Sequence, residues 1–479
     1  MRVRQALFRQ LPVERLQRQA EQQRDFRRVL GLWQLTAIGL GGIIGVGIFV
    51  LAGQQAAINA GPAVAISFLI AGFGSACAAL CYAEFSGMIP VTGSAYTYSY
   101  AVLGELAAWI IGWDLLLEYA LIVGVVAIGW SGYVQALLGA AGIVLPVWAR
   151  GADGTGEGHV FDLIAALITL AISLLLCARS EYGARFNGAM VAIKIAGALL
   201  VIVAGVAHID PANWQPFVPP RVVDAEGVGH FGWSGVLAAA SVVFFAVFGY
   251  DTLTTAAEES RQPQRDLPRA VLLSLGISMA LYLAIALVLT GMVPYSTLNT
   301  AAPVADAFAA VGDRWVMIAI SVAAVAGLTS VMFAFMLGTS RIAFALARDG
   351  LLPGFLARIH PRFGTPTRPT LILGSCTAVL AGSLPIGEVA ELVNIGTLGA
   401  FILICTAVLV LRVQRPEIPR AFRTPAVWLF APLGIAFSAV LIAGLPWITV
   451  ERFAIWMAIG LLLYFAYGIR HSVLARESR

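Results

Sequence analysis

Apolar stretches separated by short polar breaks dominate the chain from Trp33 to its end. A helix needs about 20 mainly apolar residues to cross a bilayer. Stretches of that kind fall near residues 33–55, 62–88, 101–138, 160–178, 187–207, 233–258, 270–293, 314–346, 369–385, 388–411, 428–446 and 452–469. The pattern predicts an all-α integral membrane protein with twelve spans. Polar, Pro/Gly-rich segments at 140–159, 208–232 and 347–368 are the main interruptions, and none is long enough for a soluble domain. The chain therefore reads as one membrane domain without a separate catalytic or ATP-binding module.

Two of the spans are irregular. The first carries Gly39, Gly41, Gly42, Gly45 and Gly47 within nine positions. Each glycine costs about 1 kcal/mol against alanine inside a helix. Gly41-x-x-x-Gly45 would suit a close helix–helix packing face, but glycines on several faces are more simply explained by a broken helix. The sixth span carries Phe244, Phe245, Phe248, Gly249, Tyr250 and Asp251, which puts a glycine and an ionisable residue in mid-membrane. It lies five spans after the first break. Paired interruptions at matching positions of two five-helix halves point to an inverted-repeat transporter, although the halves show no residue-level identity.

Composition and charge agree with burial in lipid. Apolar residues make up 59% of the chain and charged residues 12%, against roughly half and a quarter in soluble domains. With the N-terminus inside, twenty-five of the thirty basic residues fall on the cytoplasmic side; only Arg150, Arg221, Arg314 and Arg452 fall outside. That asymmetry predicts an inner-membrane protein with both termini cytoplasmic. The first thirty residues are arginine-rich without an apolar core, so they read as a cytoplasmic tail rather than a signal peptide. Because apolar spans separate the arginines, a nucleic-acid surface is not implied. Five cysteines in apolar stretches imply neither a disulfide framework nor a metal site, and no cofactor is expected.

Lys194 is the only lysine, so no P-loop is possible and ATP-driven pumping within this chain is excluded. The five histidines fall in loops or the tail. Gly129-Trp130-Ser131 superficially resembles the nucleophile segment of a rhomboid-type protease but lacks a histidine partner, which counts against an intramembrane enzyme. An ion channel stays open, because broken helices also line pores.

A broken helix in lipid exposes backbone groups of defined polarity. Amides near Val46 and Gly47, at the positive end of the outer half-helix, suit a carboxylate. Carbonyls near Ile43 and Phe245 suit an ammonium. A ligand with both groups on one carbon fits both ends, which is the physical case for an α-amino acid. Charges within spans are costly and are functional candidates by default: Lys194, Asp114, Glu118, Asp251 and Glu84. Lys194 and Glu118 could form a static ion pair. Alternatively, Lys194 releases and regains a proton during transport, since a buried lysine can do so where arginine cannot.

At these residues the sequence becomes recognisable. It resembles the amino acid–polyamine–organocation superfamily, and within it the cationic amino acid transporter family in its shorter, twelve-helix bacterial form. The resemblance runs from about Leu32 to Arg423. It rests on the ordered set of residues 41–49, Tyr82-Ala83-Glu84, the loop 90–96, Trp113 to Tyr119, Phe244 to Asp251, 256–259, 263–268 and 347–353. It implies a five-plus-five inverted repeat with two trailing helices and alternating access. The expected organisation is a tail at 1–31, a transport core at 32–412, trailing helices at 413–470 and a tail at 471–479.

By the family's pattern, Val46 and Gly47 amides hold the substrate carboxylate, while carbonyls of Ile43, Phe245 and Phe248 hold its amino group. Gly41, Gly42, Gly45 and Gly249 make the helix breaks, and Phe335 lines the side-chain pocket. Lys194, with Glu118 and Asp251, is implied in proton coupling; Lys194 takes the place of a sodium ion in sodium-coupled relatives and contacts Glu118. Two departures stand out: Val46 replaces a common threonine, and Phe335 is bulky and apolar. Small neutral amino acids such as alanine are therefore expected, with arginine or lysine next. The reading is a proton-coupled permease, with an exchanger needing no proton as the alternative within transport. The sequence reveals no small partner helix.

Overall fold

The computed structural model describes residues 30–88, 96, 99–100, 102–178, 183–223, 229–251, 253, 260–360 and 365–477, without the side chains of 178, 183–188 and 476–477. The N-terminal tail, most of the 90–96 loop, the motif at 256–259 and the inner end of the sixth span lie outside the described residues.

Among the described residues, each predicted span is helical over most of its length. The second to fifth are Val64–Met88, Glu105–Ala140, Leu163–Ala178 and Gly183–Gly205; the seventh to tenth are Pro263–Met292, Arg314–Arg348, Thr367–Ser383 and Ile386–Gln414. The eleventh is Val427–Ala443 and the twelfth begins as Trp447–Leu463. Apolar pattern alone places the seventh too late, because its first turns carry Gln264, Arg265 and Asp266. A helix can start there, since proline at the first position loses no hydrogen bond. The twelfth likewise starts directly after Pro446. The loops carry, besides short single turns, a helix at Pro303–Ala310 and a two-stranded ribbon pairing Val222–Val223 with Gly229–His230.

The packing between spans repeats with a period of five. The most extensive contacts join the third to the eighth span, the second to the seventh and the fourth to the ninth. Contacts of the first span with the seventh are mirrored by the sixth with the second, and those of the third with the tenth by the eighth with the fifth. Five is an odd number of crossings, so the second set enters from the opposite face, as an inverted repeat requires. This symmetry brings the first, third, sixth and eighth spans together at the centre. The trailing spans lie outside it, the eleventh against the second and tenth and the twelfth against the third and tenth.

Side chains mark the membrane edges. Trp33 and Trp428 are exposed at the starts of odd-numbered spans, and Trp233, Trp315 and Trp447 at the starts of even-numbered ones. Tryptophan at both rims of the apolar belt is typical of a spanning protein. The C-terminal helix Val473–Glu477 is tied down: Ser472 Oγ donates to Glu105 Oε2 at 2.9 Å, and the Val473 amide donates to the Asp349 carbonyl at 3.0 Å.

Candidate functional site

The first span is broken where its glycines predict. Its inner half, Leu32–Ile43, ends at Ile44, whose backbone is extended (φ −74°, ψ 106°), and helical winding resumes at Gly47. The last regular bond runs from the Ile44 amide to the Leu40 carbonyl at 2.9 Å. Among the described residues, no backbone acceptor outside the helical ladders is found for the amides of Gly45, Val46 and Gly47, as expected of the first donors of a half-helix. That half is wound loosely, with two i→i+5 stretches, Gly47–Leu51 and Ala56–Ala60, a winding frequent at functional sites.

The sixth span breaks opposite. Gly232–Val243 tightens into a single turn at Phe244–Ala246 and then stops. Gly249 has φ +105°, and a Cβ there would lie 2.8 Å from the Gly42 carbonyl oxygen, so only glycine lets the two breaks meet backbone to backbone. The first-span glycines divide in role. Gly47 packs on Ala246, whose Cα would be 2.6 Å from a Cβ, and Gly39 packs on Ser274; Gly45 meets only Val331, at 3.6 Å. Close packing and helix breaking, rival readings of the sequence, each account for different glycines.

Between the breaks is a small cavity. Gly42, Ile43, Gly45, Val46 and Gly47 of the first span and Phe245 and Phe248 of the sixth line it. Ile122 and Val126 of the third span and Val331 and Phe335 of the eighth complete it. No lining side chain is polar. Ile43, Val46, Phe245, Phe248 and Phe335 are all buried. Phe335 packs edge-on against Tyr119 at 5.1 Å, and Tyr119 donates a hydrogen bond to Asp251.

Most carbonyls freed by the breaks are claimed by side chains from neighbouring spans. Lys194 Nζ donates to the Gly41 carbonyl at 2.6 Å and to that of Ile44 at 2.9 Å. Tyr282 OH donates to the Ile43 carbonyl at 2.7 Å. In the sixth span, Asn394 Nδ2 donates to the Ser241 and Val242 carbonyls and Ser75 Oγ to that of Val247. The carbonyls of Phe245 and Phe248 have no such partner among the described residues. Tyr282, Asn394 and Ser75 were missed by sequence reasoning; their only signal was a single polar group within an apolar stretch.

The expected contact between Lys194 and Glu118 does not form. Lys194 is fully buried, wedged against Gly327 of the eighth span, and the negative end of the inner half-helix supplies its counter-charge. Glu118 lies elsewhere, beside Thr397, Asp114 and Asp251. Glu118 Oε2 and Asp114 Oδ1 are buried without a hydrogen-bond partner among the described residues. Glu84 is a structural anchor: Arg412, Arg420 and the Thr424 amide all donate to its carboxylate, at 2.8–3.0 Å, at one rim of the bundle.

A family profile described as amino acid permease matches residues 30–466. The chain is similar to a methylthioribose transporter of Bacillus subtilis (strain 168), 44% identical over 98% of this chain and 99% of that protein. It is 43% identical to a branched-chain amino acid permease of the same organism, again over 98% and 99% of the two chains. Human cationic amino acid transporter 4 is 35% identical over 82% of this chain and 61% of its own length.

Proposed function

The chain belongs to the amino acid permease family, and on that premise we propose that it is a proton-coupled importer of neutral amino acids with small or branched aliphatic side chains. One observation carries the substrate class. Val46 and Gly47, at the start of the outer half-helix, and Phe245 and Phe248, at the sixth-span break, line one cavity whose side chains are all apolar. The amides suit a carboxylate and the carbonyls an ammonium, while Ile122, Val126, Val331 and Phe335 leave an aliphatic side chain as the compatible remainder. A lysine or arginine substrate would bury its charge beside Phe335 without a partner, at a cost of several kcal/mol. The named activity of the branched-chain relatives supports this choice.

Ile43, Val46, Phe245, Phe248 and Phe335 around the cavity are buried, so release of a substrate held there would need the breaks to move. Lys194 bridges two carbonyls of the first-span break. Loss of its proton would weaken both bonds and release the inner half-helix, which couples a proton to the conformational change. Glu118 of the third span has Asp251 of the sixth as a neighbour, where the pair would link protonation to the sixth. The charge asymmetry supports placement in the cell membrane with both termini cytoplasmic. The period-five packing supports a core at 32–412 with trailing helices at 413–470.

A second reading comes from the thioether sugar named for a relative of equal similarity: an apolar methylthio group would suit the same aliphatic wall. Uptake of labelled alanine and valine into liposomes under an inward proton gradient, with methylthioribose and arginine as competitors, tests both. Accumulation that ignores the gradient would refute proton symport, and block by methylthioribose alone would favour the sugar.

A further inference from the structure

We propose that Asn394, on the tenth span, is a positioning residue for transport: it braces the sixth-span break as Lys194 braces the first, and because its amide has no proton to give up, only the first-span break yields to proton release. The inference rests on the reading of Lys194 as the proton carrier.

The two braces correspond position by position. In the first span the regular helical ladder ends with the bond from the Ile44 amide to the Leu40 carbonyl. The next carbonyl, that of Gly41, is the one Lys194 Nζ takes, at 2.6 Å. In the sixth span the ladder ends with the bond from the Phe244 amide to the Ala240 carbonyl, and the winding tightens from there. The next carbonyl, that of Ser241, is the one Asn394 Nδ2 takes, at 2.7 Å. Leu40, Gly41 and Lys194 each stand 200 residues before Ala240, Ser241 and Asn394. The spans agree, since the tenth packs on the sixth as the fifth packs on the first.

Each brace also reaches a second carbonyl, Ile44 for Lys194 at 2.9 Å and Val242 for Asn394 at 3.3 Å, and both side chains are fully buried. A lysine and an asparagine share no identity, but each supplies several N–H donors, which is what carbonyls at a helix end require. Asn394 Oδ1 has no hydrogen-bond partner among the described residues, so the amide is held by its donors alone. Charge separates the two. Lys194 can release a proton, whereas a carboxamide stays neutral and keeps both hydrogens. The first, seventh and eighth spans, packed on the fifth, carry Tyr282 in mid-span and charged groups only toward their ends, at Arg265, Asp266, Arg269, Arg314, Arg341 and Arg348. The sixth-span break therefore stays braced in both protonation states of Lys194.

Hydrogen–deuterium exchange reads each brace, because backbone amides at a break are protected only while the break holds. In wild-type protein in liposomes, raising the pH should lower protection over residues 41–48, corrected for the intrinsic exchange rate, and leave residues 241–248 unchanged. Asn394→Leu keeps the branched shape without the donors, and Asn394→Ala avoids overfilling the site. In both, protection over 241–248 should fall about tenfold, the scale of one buried acceptor losing its donor, while that over 41–48 holds. Valine exchange at equal pH and gradient-driven uptake should fall by the same factor, so their ratio stays at the wild-type value. Thr406→Val removes a hydroxyl bonded to the Ile402 carbonyl within the same span; it should change neither and is the control.

Unaltered protection over 241–248 in the Asn394 variants, or loss of gradient-driven uptake with exchange intact, would overturn the proposal. So would a wild-type sixth-span break that loosens with rising pH alongside the first. If the first-span break of wild type holds at every pH, the proton reading of Lys194 falls. That outcome is visible without any variant and is distinct from a failure of Asn394.

Discussion

Lys194 Nζ sits 2.9 Å from the Ile44 carbonyl oxygen and 2.6 Å from that of Gly41, so the chain's one lysine closes the gap that the first-span break opens. The bond separates two roles, holding the break and releasing it. Lys194→Arg keeps a cation but cannot surrender its proton. It should preserve a folded carrier and abolish gradient-driven uptake while leaving some exchange. Lys194→Met should abolish gradient-driven uptake as well. It should also lower thermal stability, by about 1–3 kcal/mol for each carbonyl left buried without a donor. Wild-type pH dependence of uptake in either variant would refute the role.

Gly249 and Gly45 predict opposite outcomes for the same substitution. Gly249→Ala would strain a backbone at φ +105° and meet the Gly42 carbonyl, so substrate binding should be lost. Gly45→Ala meets only Val331, at 3.6 Å, and should fold normally with a smaller cavity. Alanine should then be favoured over valine. Binding measured by thermal shift with each amino acid distinguishes the two. Gly47→Leu, by contrast, would drive apart the first and sixth spans at Ala246 and should reduce the yield of folded protein.

Phe335→Ala should widen the side-chain end of the cavity. Relative preference for leucine or methionine over alanine should rise by at least about tenfold, a change typical of apolar pockets altered by a few carbon atoms. Competition curves for uptake provide the measurement, and an unchanged ranking would place the specificity wall elsewhere.

Glu84→Gln should act on stability alone. It replaces the buried carboxylate to which Arg412 and Arg420 both bond with a neutral amide, and breaking a buried ion pair in this way costs about 3–5 kcal/mol. The melting temperature should fall while apparent substrate affinity in the surviving protein stays at the wild-type value.

These contrasts show what was legible in the sequence. Spans were, because lipid demands unbroken apolar length, and so was the first break, because five glycines in nine positions fit no ordinary helix. The partner of Lys194 was not. A charge in an apolar stretch announces a partner somewhere, but the partner proved to be backbone, and every residue carries a carbonyl. Tyr282 was hidden for a related reason: one tyrosine in an apolar span fits lipid-facing, packing and site roles equally. The roles of Gly45 and Gly47 diverged only once Ala246 and Val331 were in place beside them.

The most direct test is a competition panel against valine uptake by purified protein in liposomes under an inward proton gradient. Alanine, valine, leucine and isoleucine should each compete, while arginine, lysine and methylthioribose should not. Block by arginine or by methylthioribose, with no block by the neutral aliphatic amino acids, would contradict the assignment of this cavity.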